Sequence, residues 1–250
     1  MSPYPTYPGP PGLPYVAPPA PAPALEDPVC DACARGDAAA LRRLLEQGAS
    51  PDISLPVTLN SPLHILCTHA SPPKGDRIAC FELLRAAGAN LDATDSGGCV
   101  PLHYAPMPPI LTSMLIEAGA SVNVKDTSYG RTPLHWAARY RATGSITVPL
   151  LLRAGAAVNA VDWDGNMPLT LAIEVQNRRV LPILLRAGAD IPPGYRGTCP
   201  YISRVFAAGG FKKHEQAHIT RITAILAPTP RLPPEMVRKI VEFWLHAGYY

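Results

Sequence analysis

A short motif that recurs five times constrains the fold of this chain more than any other feature. Each copy is a leucine-rich stretch that ends in Gly-Ala, with its glycine at position 48, 88, 119, 155 or 188. A proline precedes each glycine, at position 28, 62, 101, 133 or 168. Recurrence at intervals of 31 to 40 residues is typical of repeat proteins, whose units bury their apolar faces by stacking on one another.

The two ends of each unit predict a pair of short helices. Proline is favoured at the first helical position, because the N–H that it lacks would be unpaired there, and a preceding Ser or Thr such as Thr132 can cap the helix. Glycine adopts the left-handed backbone that ends many helices. The polar connection that follows, such as residues 159–166, is rich in turn-forming residues. Each unit is therefore expected to be a helix, a turn, a second helix and a polar connection.

The motif resembles the ankyrin repeat, most fully in TPLHWAA at 132–138 followed by LLLRAGAAVNAVDWDGN at 150–166. The resemblance implies an all-α fold, an ankyrin-repeat solenoid of stacked helix-turn-helix units with hairpin-like connections. The chain then divides into a disordered Pro-rich tail (1–24), five ankyrin-like repeats (25–190), a degenerate capping repeat (191–228) and a C-terminal amphipathic helix (229–250).

Three units depart from the pattern. The second unit has an insertion near residues 71–76, which we interpret as a longer loop between its two helices. The third carries Pro106, Pro108 and Pro109, which must cut its first helix short because proline removes a helical hydrogen bond. The fifth has Thr170 where three other units have histidine.

Those three histidines, His64, His103 and His135, occupy one repeat position. A ladder of metal ligands is one interpretation of such a row. The resemblance to ankyrin repeats implies a structural role instead, in which each imidazole forms hydrogen bonds that tie one unit to the next. We favour the structural role.

A second histidine pattern matches HExxH, the motif of zinc hydrolases, at His214, Glu215 and His218. Two histidines one helical turn apart can hold zinc while the glutamate activates water. Lys212 and Lys213 oppose a dication there, and only 32 residues follow His218. Zinc hydrolysis is thus a remote alternative. We predict no catalytic residue, metal site or cofactor, and no enzymatic activity.

The six cysteines are scattered along the chain, as is typical of reduced intracellular thiols. Cys30 and Cys33 form a CxxC pair without a partner pair, and we interpret them as small packing residues. No secretory signal or membrane-length apolar stretch is evident. The expected location is therefore intracellular, cytoplasmic or nuclear, with no membrane partner.

The charge is uneven, with eight Lys/Arg against three Asp/Glu after residue 193. No aromatic-rich basic motif accompanies it, so we expect no nucleic-acid partner.

The resemblance implies contact with a protein partner through the hairpin tips and first helices, and hence a non-catalytic interaction scaffold. Tyr, Trp and Arg are the usual interface anchors. The predicted partner-binding residues are Tyr129, Arg131, Arg139, Tyr140, Trp163, Asp164, Asn166 and Glu174.

Trp163 lies between two aspartates in a turn, an unusual place for a core residue, and is the predicted anchor. The alternative is a tryptophan that lies over a neighbouring hairpin.

Two asparagines, Asn123 and Asn159, each follow a valine and lie eight residues after a leucine. They are similar to the sites of ankyrin-directed asparaginyl hydroxylases, and the resemblance implies hydroxylation.

The end of the chain leaves a second function open. An apolar stripe there fits a helix that caps the stack. The same segment resembles the start of an F-box, the helix that docks a substrate receptor onto a cullin-type ubiquitin ligase. In that alternative the protein recruits a ligase adaptor and cullin through Leu232, Pro233, Glu235, Met236 and Ile240.

Overall fold

The structure, a computed structural model, describes residues 27–68, 76–105, 109–191 and 199–226, with Pro233, Glu235, Met236 and Lys239 as isolated positions. The predicted tail (1–24) lies outside the described residues, as do Leu232 and Ile240 of the F-box-like segment. The described residues form twelve α-helices and no β-strand. The predicted all-α ankyrin-repeat solenoid is confirmed.

The first helix of each unit begins at the predicted proline. These helices are α1 (Pro28–Arg35), α3 (Pro62–Thr68), α5 (Pro101–Tyr104), α7 (Pro133–Arg139) and α9 (Pro168–Glu174). The α5 helix has only four residues, as the prolines after it predict. A further helix, α11 (Pro200–Ala207), also begins at a proline.

The second helices run back towards the connections and stop at the predicted glycines. They are α2 (Ala38–Glu46), α4 (Arg77–Ala86), α6 (Pro109–Glu117), α8 (Gly144–Arg153) and α10 (Leu181–Arg186). The glycine after each has a φ between 81° and 96°, which a side chain rarely adopts. After α8, the Ala156 N–H donates to the Leu151 carbonyl across 3.0 Å, so the chain leaves the helix in a closed turn.

In the second unit, α3 ends at Thr68 and α4 begins at Arg77, and residues 69–75 of the predicted longer loop lie outside the described residues. Thr132 is the N-cap residue of α7, as expected. Its hydroxyl lies 2.9 Å from His135 Nδ1. The imidazole also accepts the Thr132 backbone N–H, so the ring three residues further along the chain satisfies the donor at the start of the helix.

The units stack into one continuous core. The first helices pack in a row, α1 on α3, α3 on α5, α5 on α7 and α7 on α9, while α6 packs on α8 and α8 on α10. Each unit contributes fully buried leucines at its helix–helix contacts, such as Leu84, Leu115 and Leu151. Burial of such a side chain contributes about 2 kcal/mol, and the units share that gain because none has a closed core of its own.

The chain continues after α10 as a further pair of helices, α11 and α12 (Phe211–Leu226), which pack on each other. The α12 helix also contacts α10, where Arg186 and Glu215 form an ion pair at 2.7 Å. That this pair is a degenerate capping repeat remains a prediction. Within the described part of the chain, no helix combines the length and apolarity that crossing a membrane requires.

Candidate functional site

The connections between units form a ladder, which we call the hairpin face (residues 57–60, 95–99, 126–131 and 162–166). One backbone hydrogen bond joins each connection to the next. The N–H of Ser96 donates to Thr58, that of Thr127 to Gly97 and that of Trp163 to Tyr129, across 2.8 to 2.9 Å. The polar tips of the connections are therefore held in fixed register.

A buried aspartate closes each of three connections, at Asp95, Asp126 and Asp162. Each carboxylate accepts backbone N–H groups of its own connection, such as those of Gly97 and Cys99 at Asp95. Each also accepts at least one hydrogen bond from a side chain. Asp95 receives the Tyr104 hydroxyl at 2.6 Å, and Asp126 receives Trp136 Nε1 at 2.9 Å.

Asp162 accepts a long hydrogen bond from Asn166 Nδ2 of its own connection, at 3.4 Å. It obtains its shorter side-chain hydrogen bond from the preceding unit, because Leu171 stands where the third and fourth units have Tyr104 and Trp136. Arg131 reaches across and places its Nε 3.1 Å from the Asp162 carboxylate. Burial opposes ionisation of Asp162, but hydrogen bonds from Asn166 and Arg131 outweigh it and hold its pKa below the usual value.

The histidine row ties each unit to the next in one manner. His135 Nδ1 accepts the Thr132 N–H at 3.1 Å, which places the ring proton on Nε2. Nε2–H then donates to the Asn166 carbonyl of the following connection at 3.1 Å. His64 and His103 bond likewise to Cys99 and Arg131. The predicted structural role is confirmed by these bonds.

Burial lowers the pKa of all three histidines, and the carbonyl bonds and nearby aspartates only partly oppose that effect. Each ring is fully buried and neutral. Both of its nitrogens are committed to the stack, so none of the three is available as a metal ligand.

Trp163 combines the two interpretations made from the sequence. Its ring lies on the preceding connection, because a Cβ added to Gly130 would come within 2.5 Å of Trp163 Cδ1. Trp163 is nevertheless 65% exposed, and Tyr129 beside it is 49% exposed. Arg131 lies under the Tyr129 ring, 4.6 Å from its centroid. The Trp163 ring therefore packs against Gly130, which has no side chain, while most of the Trp163 side chain remains exposed to solvent.

The predicted partner-binding residues divide into two groups. Five lie on the hairpin face: Tyr129, Arg131, Trp163, Asp164 and Asn166. Arg131 and Asn166 are engaged in joining units, whereas Tyr129, Trp163 and Asp164 are exposed.

Arg139, Tyr140 and Glu174 lie at the other end of the first helices, where α7 and α9 finish. With a rise of 1.5 Å per residue, the length of α7 separates Arg139 from the hairpin face by about 9 Å. The eight residues are therefore divided between the two ends of the first helices.

One contact beside the hairpin face has no sequence signal. The Lys125 ammonium group donates to the Val161 carbonyl of the next connection at 2.7 Å. A lysine in a polar connection is indistinguishable in sequence from any solvated lysine. The aspartate row, in contrast, had a signal, since Asp95, Asp126 and Asp162 recur at one repeat position.

The HExxH residues all lie on α12 but do not form a zinc hydrolase site. Glu215, the would-be base, is paired with Arg186, and the His214 ring packs edge-on against Tyr201 at 5.6 Å. Burial, followed by the charges of His218, Arg204 and Arg221, lowers the pKa of His214. Among the described residues, no three His, Cys, Asp or Glu side chains are grouped as metal ligands.

The CxxC cysteines are buried in α1, where Cys30 and Cys33 are at most 1% exposed. Burial, with the nearby Asp27 charge, raises the pKa of Cys30 to about 12. Burial likewise raises the pKa of Cys67 to about 12. These groups are thiols at neutral pH, and packing is the role that the structure confirms.

Asn123 and Asn159, the predicted hydroxylation sites, are exposed residues that each bridge two units. The Asn123 side chain donates to the Gly155 carbonyl at 3.1 Å and accepts the Ala157 N–H at 2.8 Å. Asn159 repeats the arrangement one unit later, at Gly188 and Asp190. Both amides therefore hold the glycine turn that ends the following second helix.

Comparison with known proteins agrees with this architecture. Residues 107–193 match the family described as "Ankyrin repeats (3 copies)". The mouse nuclear factor NF-kappa-B p105 subunit is 35% identical over 134 residues, which cover 52% of this chain and 13% of that protein. An ankyrin repeat protein of fowlpox virus is 31% identical over 205 residues, or 66% of this chain and 26% of its own length.

A third relative is human ankyrin repeat and SOCS box protein 16, 35% identical over 113 residues that cover 44% of this chain and 23% of that protein. The chain thus spans only about a tenth to a quarter of the length of these three relatives. Neither the matched family nor these names indicate an enzymatic activity. The chain carries ankyrin repeats, stacked as a solenoid, and is similar to ankyrin-repeat proteins.

Proposed function

We propose that this protein is a non-catalytic scaffold that binds a protein partner through the hairpin face, inside the cell. Ankyrin repeats generally mediate protein–protein interaction, which supports the class of function. The observation that carries the proposal is the adjacent exposed pair Tyr129 and Trp163 on a rigid ladder. Aromatic side chains that are fixed before binding lose little conformational entropy when a partner covers them.

Substitution of Trp163 tests the proposal. The Trp163→Ala variant should lower recovery of the specific co-purifying proteins at least tenfold in a quantitative affinity purification, as expected for an aromatic hot spot worth about 2 kcal/mol. The matched control is Ile146→Ala, which removes a similarly exposed apolar side chain from α8. Equal recovery with both variants would contradict a partner site at Trp163.

A second candidate is a substrate receptor of a cullin-type ubiquitin ligase, in which the repeats hold the target. Two observations favour it. One relative carries a SOCS box by name. Met236 of the F-box-like segment is 47% exposed, as a residue that contacts an adaptor must be before binding.

Affinity purification of the full-length protein and of a 1–229 truncation separates the two candidates. A ligase receptor loses adaptor and cullin subunits on truncation but keeps its target. If neither the full-length nor the truncated protein recovers those subunits, the scaffold function stands alone.

We also propose hydroxylation of Asn123 and Asn159, whose exposure leaves them open to an enzyme. Both side chains are tied to the following unit, so modification requires local opening of that turn. Peptide masses from the cellular protein should show one added oxygen atom at either asparagine. Unmodified peptides throughout would remove the proposal.

A further inference from the structure

The ends of the helix pairs opposite the hairpin face meet at one point between the fourth and fifth units. There the Asn177 side chain donates to the carbonyl of Ala138 at 2.9 Å and to that of Tyr140 at 3.2 Å. Asn177 is only 2% exposed. The turn after α7 is therefore joined directly to the turn after α9.

Close packing around Asn177 fixes the two turns relative to each other. A Cβ added to Gly144 would lie 2.9 Å from Asn177 Nδ2 and 2.9 Å from Val180 Cγ2. The Asn177 backbone N–H also donates to the Ala172 carbonyl at 2.8 Å, which holds the turn against the end of α9. Gln176 has a φ of 55°, a conformation that costs a non-glycine residue free energy and persists only where its surroundings enforce it.

Four arginines surround this fixed point, and we call them the arginine junction. Arg139 and Arg141 flank Tyr140, whose carbonyl accepts from Asn177, and Arg178 and Arg179 directly follow Asn177. Arg141, Arg178 and Arg179 are exposed, and Arg139 is half-buried.

No carboxylate in the described part of the chain forms an ion pair with any arginine of the junction. Arg131 and Arg186 of the same two units differ in this respect, since Arg131 is paired with Asp162 and Arg186 with Glu215. Glu174 ends α9 three residues before Asn177 and is the acidic residue closest to the junction in sequence. One carboxylate against four guanidinium groups leaves a strong positive potential on a rigid surface.

We propose that the arginine junction binds an acidic segment of a protein partner. Guanidinium groups bind carboxylates through paired N–H donors, and a surface that is rigid before binding keeps its charges at fixed spacing. The partner would meet this surface separately from the hairpin face, because none of the four arginines lies there. The proposal therefore does not depend on Trp163.

The junction suits a peptide better than a nucleic acid or a membrane. Single-stranded nucleic acid is bound by grooves in which aromatic side chains stack on successive bases, whereas these two turns offer only the half-buried Tyr140. Peripheral membrane binding combines basic residues with inserted apolar ones. The described residues of the two turns, 139–143 and 175–180, include no large exposed apolar side chain.

Binding of a fluorescein-labelled oligoglutamate peptide to the full-length protein tests the proposal by fluorescence anisotropy. The Arg178→Glu/Arg179→Glu variant should bind at least tenfold more weakly than the natural protein at about 0.15 M salt, because two attractive contacts become repulsive. The matched control is Arg42→Glu/Arg43→Glu, which reverses an equally adjacent, exposed pair on α2.

The control pair lies four helix-to-helix steps away, from α2 to α10, roughly 35 Å, well beyond the screening length of about 8 Å. It should therefore change the affinity less than threefold. Equal weakening by both variants, or no binding of oligoglutamate by the natural protein, would overturn the proposal.

Two further probes distinguish the ligand class under the same conditions. Labelled oligothymidine and vesicles containing phosphatidylserine should each bind at least tenfold more weakly than oligoglutamate. Tighter binding of either one, lost in Arg178→Glu/Arg179→Glu, would assign the junction to nucleic acid or to membrane and contradict the proposal. Circular dichroism of each variant establishes that the helices are intact.

Discussion

At the hairpin end of the fourth and fifth units, several groups join the two units: the His135 ring, the Arg131–Asp162 ion pair, the Lys125 ammonium group and the Trp163 N–H. At the helix-turn end, the side chain of Asn177 joins them. The hairpin end is thus held by several polar groups, of which the histidine ring and the backbone N–H recur along the stack. At the helix-turn end, the side-chain amide of Asn177 makes the polar link, and four positively charged arginines lie around it.

This difference indicates at which end the exposed residues can change without weakening the contacts between units. The hydrogen bonds and the ion pair that join the units at the hairpin end do not involve the side chains of Tyr129 and Trp163, so both side chains can contact a partner while those bonds stay intact. At the arginine junction, a proposed binding residue lies next to a residue that stabilises the stack, because Arg178 directly follows Asn177, whose side chain holds the two turns together.

The largest expected loss of stability follows removal of a histidine at the hairpin end. His135→Ala deletes the bonds to Thr132 and Asn166 and leaves the buried Thr132 N–H without its acceptor. We expect the free energy of unfolding to fall by about 3 kcal/mol. Urea denaturation measures it. Thr170→Ala, at the same repeat position in the fifth unit, should cost less than about 0.5 kcal/mol. Similar losses in both would show that the histidine bonds do not join the units.

Removal of the single amide at the other end should cost somewhat less. Asn177→Ala leaves the carbonyls of Ala138 and Tyr140 without this donor, so we expect a loss of about 2 kcal/mol in urea denaturation. The control is Asn90→Ala, which removes one local bond from an exposed residue. A loss no larger than that of the control would mean that Asn177 does not hold the turns together.

Acid should weaken the hairpin end in particular. The buried histidines have a lowered pKa in the folded state, so the unfolded chain binds more protons below pH 6.5 and stability falls as the pH falls. For His135 alone this loss is at most about 1.4 kcal/mol between pH 6.5 and 5.5. The free energy of unfolding of His135→Gln should therefore depend less on pH over that range than that of the natural protein. An unchanged pH dependence would contradict a buried neutral ring.

The smallest effect concerns the seat of Trp163. Gly130 and Gly165 both have positive φ, 67° and 78°, but only Gly130 has the tryptophan ring against it. Alanine should cost about 1 kcal/mol at Gly165 from the backbone alone. At Gly130 we expect about 1 kcal/mol more, because the ring must move. Equal thermal unfolding temperatures for the two variants would place the ring elsewhere.

The repeat itself was predictable because its signals are local. Proline at a first turn and glycine at a helix end act through backbone geometry within a few residues, and Pro133 and Gly155 mark their helices as expected. The short α5 helix followed from proline in the same way. The role of the histidine row came from resemblance, and the structure added its donor and acceptor pattern.

The division of the predicted partner-binding residues between two ends of the units was harder to predict from the sequence. Arg139 and Trp163 were assigned to one surface because both belong to first-helix or connection segments, although a whole helix length separates them. Asn177 had no repeat signal, since no other unit carries its bridge among the described residues. The Arg131–Asp162 ion pair was not predicted either. Arg131 donates to Asp162 where the third and fourth units use Tyr104 and Trp136 as donors, and Leu171 at that position has no polar group.

That ion pair also sets a rule for how such an array can grow or shrink. Asp95 and Asp126 are satisfied by aromatic donors of their own units, so each of those units carries its requirement with it. Asp162 depends on an arginine in the unit before it. A copy of the fifth unit placed behind a unit without this arginine would therefore leave Asp162 with only the donors of its own connection, so we expect the fourth and fifth units to be duplicated together.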